Sequence, residues 1–281
     1  MAETTGVAAT SVSEAVAWGR RRLDGAGTDT PRLDAEVLLA FVLGVDRARL
    51  VIDSAFRLAA PQLDRFRGLV ERRAAHEPVA YILGRRDFRY LTLTVDRRVL
   101  IPRPETELLV EVGLTVGAGA RVLDVGTGSG AVALALKQER PDLIVSGVDV
   151  SPDALAVARA NGLALGLDVQ FVVSDLLEGV GGGFDAVLAN LPYVASGAPL
   201  PLDVADYEPG LALYAGADGL DVVRRLVSEV GEMSPRPALL ALEIGPEQAA
   251  SVSGLVAGVG FASVEMRRDL AGLERVVVGR A

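Results

Sequence analysis

The stretch Arg121-Val-Leu-Asp-Val-Gly-Thr-Gly-Ser-Gly130, running on into Ala131-Val-Ala-Leu-Ala-Leu136, constrains this chain more than any other. Apolar and β-branched residues on either side of Asp124 read as a buried parallel strand. Gly126, Gly128 and Gly130 then turn the backbone sharply into a helix that opens on small residues. Without Cβ atoms such a turn can approach a bound molecule closely, and the first N–H groups of the helix are unpaired donors beside it. A nucleotide-like ligand is expected at this turn, held by Gly126, Thr127, Gly128, Ser129 and Gly130.

Spacing narrows the ligand. The dinucleotide fingerprint G-x-G-x-x-G would need a glycine where Ala131 stands, and no G-x-x-x-x-G-K-[ST] stretch is present to cradle phosphates. The next unit, Leu143-Ile-Val-Ser-Gly-Val-Asp149, reads as a second strand ending in an acid about 20 residues beyond the loop, the place from which a carboxylate reaches ribose hydroxyls. Asp149 could instead cap the helix that follows. Ser151 before Pro152 suits that role better, a hydroxyl at the cap and proline at the first helical position. An adenosine without a phosphate group fits this pair of features.

Composition removes several classes of function. Lys and Arg total 28 against 37 Asp and Glu, a formal charge of −9, which argues against a nucleic acid partner bound through its phosphates. There is no cysteine, so disulfides, thiolate metal sites and a cysteine nucleophile are out, and the one histidine, His76, leaves neither a metal cluster nor a nucleophilic triad. No basic segment leads into an apolar signal core, and no apolar run is long enough to span a bilayer, so a cytoplasmic, non-membrane protein is expected. Half the residues are hydrophobic, ample for the core of one large domain or two smaller ones.

Taken in order, residues 1 to about 10 read as frayed. Ser11-Val-Ser-Glu14 has capping-box spacing and starts a helix, Pro31 opens a second that stops at Gly44, and further helical stretches begin at Asp46 and Pro61. Residues 1–76 therefore read as a small helical bundle, whose many arginines are either a solvated surface or a face for a partner. The texture changes at Glu77-Pro-Val-Ala-Tyr-Ile-Leu-Gly84. Residues 87–95 and 99–101 carry alternating β formers around Asp96-Arg-Arg98, so residues 77–101 read as a β-hairpin linker. Ile101-Pro-Arg-Pro-Glu-Thr-Glu107 leads into a helix over residues 108–116; Glu105 and Glu107 suit pinning that helix more than acid–base work. Strands and helices then alternate, with strands over 121–125, 143–148, 169–173, 184–189 and 238–244 and a closing antiparallel pair at 262–267 and 273–279. That alternation predicts an α/β fold over residues 102–281, a seven-stranded, Rossmann-like, doubly wound sheet of the class I methyltransferase kind rather than that of a dehydrogenase.

The chemistry is expected where the 184–189 strand ends, at Asn190-Leu191-Pro192-Tyr193. Ligands of open α/β sheets bind outside the C-terminal ends of the strands, so Asn190 should stand beside the cofactor. The Asn190 side chain offers an acceptor oxygen, and the Leu191 carbonyl offers a second because Pro192 has no N–H. Two adjacent acceptors can bind both hydrogens of a planar NH2 group, with Tyr193 stacking on its face. An amide nitrogen is a poor nucleophile because its lone pair is delocalised. Orientation and fixed dipoles are the means left to such a site, with no strong base needed.

Together these motifs resemble the HemK/PrmC family. The resemblance runs through Glu77–Gly84, Ile101–Glu107, Asp124–Gly130, Asp149 with the Ala158-Arg-Ala-Asn161 helix, and Asn190–Tyr193. It continues through Tyr207-Glu-Pro-Gly-Leu-Ala-Leu213, Gly216-Ala-Asp-Gly-Leu220 and Glu243-Ile-Gly245. It covers residues 77–281 well and the N-terminal part by its helical character. Members of that family methylate the side-chain N5 of a glutamine in class I peptide-chain release factors, using S-adenosylmethionine and leaving S-adenosylhomocysteine. The resemblance implies that Gly126 to Gly130 and Asp149 hold the cofactor and that Asp175 and Leu176 flank its adenine. Asn190, Leu191, Pro192 and Tyr193 would position the substrate glutamine, which lies in a Gly-Gly-Gln loop, with Asn190 also touching the cofactor. The bundle and hairpin would help grip the release factor, and a monomer is expected. The family usually has Asn-Pro-Pro-Tyr, and Leu191 replaces the first proline; Pro192 still holds Leu191 extended, so its carbonyl should remain an acceptor. Leu176 stands where an aromatic residue is common. Asn-Leu-Pro-Tyr also occurs in adenine-N6 methyltransferases acting on RNA or DNA, which are the alternative reading.

Overall fold

The structure, a computed structural model, describes residues 10–281. The frayed start expected for residues 1 to about 10 lies, Thr10 apart, outside them. The described chain divides into two compact units, residues 10–84 with 201–207, and residues 85–200 with 208–281.

The N-terminal stretch of the first unit folds into α1 (Val12–Asp24), α2 (Pro31–Leu43), α3 (Arg47–Ile52), α4 (Ala60–Ala74) and α5 (Val79–Leu83). Local chemistry sets their ends. Ser11 Oγ accepts from Glu14 N at 3.2 Å while Glu14 Oε2 accepts from Ser11 N at 2.7 Å, the reciprocal capping box that starts α1. Pro31 opens α2, and Gly44 closes it at φ +67°, in the left-handed region. Leu23, Leu38, Leu39, Phe66 and Val70 form a dry centre, each such buried side chain adding about 1.5–3 kcal/mol. Gly19 lets the helices close together, since a Cβ there would come within 2.9 Å of Phe66 and 3.1 Å of Ala35. The arginines are largely occupied inside the unit. Arg73 pairs with Asp34 at 2.7 Å in the buried interior, Arg22 with Glu71, Arg72 with Glu77 and Arg47 with Glu36 at the surface. Arg65 and Arg67 lie over the rings of Phe41 and Trp18.

The second unit opens with an antiparallel hairpin, β1 (Arg85–Phe88) and β2 (Leu91–Thr94), joined by the tight turn Arg89-Tyr90. It sits one step earlier than the residue pattern suggests, and 99–101 form no strand. Two long-range attachments account for the difference. Arg89, in the left-handed region at φ +49°, is held by an ion pair with Glu139 and by its N–H to Glu107 Oε1 at 3.3 Å. Ile101 N donates to the Glu208 carboxylate at 3.2 Å instead of to a strand.

A 3-10 turn, Pro104–Thr106, then leads through α6 (Glu107–Gly113) into β3 (Arg121–Val125), α7 (Ala131–Glu139), β4 (Ile144–Asp149), α8 (Pro152–Leu165), β5 (Gln170–Val173) and β6 (Ala186–Ala189). After β6 come the short α9 (Leu202–Ala205), which clusters with the first unit, α10 (Asp221–Glu232), β7 (Leu239–Glu243), α11 (Ala249–Gly258), β8 (Ser263–Arg268) and β9 (Glu274–Arg280). Within the first unit, Asp203 of α9 lies 3.5 Å from Arg73, and the Tyr207 hydroxyl donates to the Ala75 carbonyl at 2.6 Å.

The seven strands β3–β9 form one sheet in the order β5-β4-β3-β6-β7-β9-β8, parallel from β5 to β7, with β9 antiparallel to both of its neighbours. Side chains alternate between two cores. Val122, Val145, Leu188, Ala241 and Val278 join one with α6, α7 and α8; Leu123, Val187, Leu240 and Val277 join the other with α10 and α11. Connections run one way from β3 through β4 to β5 and the other way from β6 to β7. The reversal falls between β3 and β6, and a crevice opens outside their C-terminal ends.

Candidate active site

Asp124, the one buried charge of β3, organises the glycine turn. Its Oδ2 accepts from Thr127 Oγ1 at 2.6 Å and from Ala133 N at 3.2 Å, so it caps α7 in place of the side chain that Gly130 lacks. A carboxylate at a helix N-terminus gains from the exposed N–H groups. Complete burial outweighs that gain and pushes the Asp124 carboxyl up to about 7. The backbone of the turn is fixed on the other side, where Gly126 N and Thr127 N both donate to the Val148 carbonyl at 2.9 Å. Gly126 needs its freedom: at φ +72° a Cβ there would lie 3.0 Å from the Leu191 side chain and 3.3 Å from the Asn190 carbonyl. Asn161 of α8, 2% exposed, holds the Ser129 carbonyl at 3.0 Å and binds Thr94 of β2 in both directions.

Asp149 ends β4 facing the same crevice. One of its oxygens accepts from Gly128 N and the other from Ser151 N, both at 2.9 Å. Its burial raises its pKa above the ordinary carboxylate value, and those backbone N–H groups pull it back. Ser151 does cap α8, accepting from Ala154 N at 3.2 Å. Asp149 thus pins the glycine turn to the end of β4.

A cavity of about 320 Å³ brings these groups together, within the range of small-molecule sites. Its wall holds Gly126, Thr127, Gly128, Ser129, Asp149, Asp175, Leu176, Asn190, Leu191 and Pro192. Two expected residues stand outside that wall. Gly130 is buried behind it, its space bounded by Leu134, Phe171 and Ala158. Tyr193 is half-buried next to the wall, and its ring lies so near Gly245 that a Cβ there would come within 3.0 Å. Thr127 turns its hydroxyl inward to Asp124. Leu176 sits at φ +51°, and Ser174 Oγ donates to its carbonyl at 2.9 Å, holding its side chain in the apolar wall.

Several residues that line or brace this cavity are not marked as such by the sequence. Val99, Leu100 and Pro102 line the cavity from one side, Pro209 and Leu211 from another. Glu208, 5% exposed, ties those two segments by accepting from Ile101 N and pairing with Arg103. Gln248 reaches back from the start of α11, its Nε2 donating to the Tyr193 carbonyl at 3.0 Å and its Oε1 accepting from Gly245 N at 2.9 Å. Val194 pairs with Tyr214 in a parallel bridge that fixes the exit from Tyr193. Among the described residues, no turn or loop hydrogen bond ends on the Leu191 carbonyl.

Two family models match this chain: one described as the PrmC N-terminal domain over residues 14–84, the other as the methyltransferase small domain over residues 104–203. The release factor glutamine methyltransferase of Rhodospirillum rubrum is 40% identical over 268 residues, covering 93% of this chain and 82% of its own length. That of Deinococcus radiodurans is 40% identical over 263 residues, covering 92% and 94%. The chain belongs to the release factor glutamine methyltransferase family. Solved structures agree on the fold of this family member. The hMettl16 catalytic domain, in complex with MAT2A 3′UTR hairpin 6, aligns with a TM-score of 0.57 at 18% identity over 75% of this chain and 81% of its own. A methyltransferase from Pyrococcus furiosus aligns with a TM-score of 0.51 at 17% identity, over 67% and 87%. At such identities the likeness is one of fold alone, an α/β methyltransferase sheet. No helix among the described residues is long and apolar enough to cross a membrane.

Proposed function

We propose that this chain transfers a methyl group from S-adenosylmethionine to the side-chain N5 of the Gly-Gly-Gln glutamine of class I release factors. The observation that carries this reading is the sharing of one cavity by the glycine turn, Asp149 and Asn190-Leu191-Pro192. The cavity suits an adenosine without phosphates. Among the described residues its wall holds two arginines, and each already has a carboxylate partner, Arg98 with Asp96 at 2.6 Å and Arg225 with Asp175 at 2.9 Å. In this reading Asp149 takes the ribose, Leu176 one face of the adenine, and the Gly126–Ser129 backbone the chain beyond the ribose.

S-adenosylmethionine supplies an electrophilic methyl group on a sulfonium. The protein's part is orientation. Asn190 and the Leu191 carbonyl accept the two hydrogens of the glutamine NH2, leaving its nitrogen aimed across the cavity, and Tyr193 closes over the amide plane. Their dipoles are fixed before the substrate arrives, so they favour the developing positive charge on nitrogen without reorganisation. The proton lost after transfer leaves an acidic, cationic amide and needs no strong base. Residues 1–76 and the hairpin are read as the part that grips the release factor, and the cytoplasm, where release factors act, as its place of work.

The test is methyl transfer from labelled S-adenosylmethionine to a purified release factor, to the same factor with its Gly-Gly-Gln glutamine changed to alanine, and to bare ribosomal RNA. Label on the unaltered factor alone is expected. Label on RNA with none on protein would hand the site to adenine-N6 chemistry. The leucine at 191 has its own expected result. Leu191→Pro keeps the carbonyl and gives up some packing against Gly126, so turnover should stay within about tenfold, roughly 1.4 kcal/mol of barrier. A larger loss in a steady-state assay would show that the Leu191 side chain shapes the site.

A further inference from the structure

Asn190 can serve as an acceptor only if its amide oxygen, not its NH2, faces the cavity. The sheet does not decide this, because the two ends of an amide are nearly equal in shape. The parallel pairing of β6 with β7, which sets Ala189 beside Leu242, brings Asn190 level with Glu243 at the strand ends. Thr106 of the 3-10 turn completes the group. Asn190 Nδ2 donates to Thr106 Oγ1 at 3.0 Å, and the Thr106 hydroxyl in turn hydrogen-bonds the Glu243 carboxyl. Both supporting residues are buried, Thr106 at 4% exposure and Glu243 at 3%.

A hydroxyl has one hydrogen. When Glu243 takes it, Thr106 Oγ1 has only lone pairs to offer, and Asn190 must present its NH2 to it. We propose that Thr106 and Glu243 are positioning residues that hold the Asn190 amide with its oxygen toward the substrate NH2. The inference rests on Asn190 binding that substrate amide. Thr106 also lines the cavity wall and Glu243 does not; in this reading both act through Asn190.

The relay depends on the ionised form of Glu243, and its surroundings set the pH at which that form appears. Burial pushes the Glu243 carboxyl up to about 7, and Glu105 beside it adds to the rise. The Thr106 hydroxyl, Arg275 of β9 and Arg103 before the 3-10 turn pull the other way, while Tyr193 acts on it from the segment after β6. Glu243 Oε2 has no hydrogen-bond partner among the described residues, so its Oε1 side carries the orientation. Below about pH 7 the neutral carboxyl becomes a competing donor to Thr106 Oγ1, which releases the hydroxyl hydrogen toward Asn190 and lets the amide turn.

The experiment compares wild type, Thr106→Val, Thr106→Ser and Glu243→Gln in three measurements: turnover with a release factor, calorimetric affinity for S-adenosylmethionine, and the NMR signals of the Asn190 side-chain NH2 against pH. In Thr106→Val kcat should fall about 10- to 100-fold through loss of orientation, with cofactor affinity unchanged, and Thr106→Ser should restore it. The Asn190 NH2 signals of wild type should titrate near pH 7 and lose that titration in Glu243→Gln, whose amide oxygen still accepts from Thr106. Unchanged turnover in Thr106→Val overturns the proposal, as does an Asn190 titration that persists in Glu243→Gln. If Thr106→Val does not fold, the pair of wild type and Glu243→Gln decides alone. The NMR titration needs no substrate, so it fails or succeeds independently of the release factor reading.

Discussion

Asn190→Ala should lower kcat by about 10²–10³-fold, the usual cost of one preorganised dipole, while S-adenosylmethionine affinity stays within about fivefold, roughly 1 kcal/mol. The two effects separate because different residues carry them. The glycine-turn side of the cavity, where we propose that the cofactor binds, is held by bonds that do not involve the Asn190 side chain: Gly128 N to Asp149, Gly126 N and Thr127 N to Val148, and Asn161 to Ser129. The side chain of Asn190 instead ends a line of support from Thr106, and its removal takes away the acceptor without loosening the glycine turn. Single-turnover rates with a release factor, paired with calorimetry of cofactor binding, would separate them. Equal losses in the two measurements would place Asn190 with the cofactor and leave the substrate NH2 to other groups.

What could be read in advance follows from how far apart interacting residues lie along the chain. The capping box at Ser11, the Ser151 cap and the glycine turn are contacts over a few residues, so their signal is complete within a short window. The strand alternation is likewise local, and with it came the sheet and the placing of Asn190 at a strand end. Support for the site is of another kind. Asn190 meets Thr106 across 84 residues, Gln248 meets Tyr193 across 55, and Ile101 meets Glu208 across 107. No periodicity encodes such pairs, and an isolated Thr, Gln or Glu is an ordinary surface residue until the fold buries it. The hairpin shows the same limit: its alternating residues announce strands, but the turn at Arg89-Tyr90 is fixed by Glu139 and Glu107, far along the chain. Asp124 was visible as part of a motif, whereas its capping of α7 and its raised pKa depend on burial that only the packed sheet supplies.

Gly219→Ala should damage the site from a residue outside the cavity wall. Gly219 sits at φ +75°, and a Cβ there would overlap the Tyr193 carbonyl oxygen, come within 2.9 Å of its carbon, and lie 3.0 Å from Gln248 Nε2. Two costs add. A side chain in the left-handed region costs about 1–2 kcal/mol, and overlap with packed backbone costs about 1–3 kcal/mol more. Tyr193 cannot give way freely, because Gln248 binds its carbonyl and the Val194–Tyr214 bridge holds the next residue. A displacement of about 1 Å at Tyr193 is enough to lower turnover by about 100-fold. Gly119→Ala is the matching control. Gly119 has φ +70° with nothing within 4 Å of the added atom, so that variant meets the conformational cost alone and should keep its turnover. Urea melts and methyl-transfer rates on both variants would test this. If Gly219→Ala loses no more activity than Gly119→Ala, the Tyr193 backbone is free to move, and stacking by its ring cannot be what holds the glutamine in line.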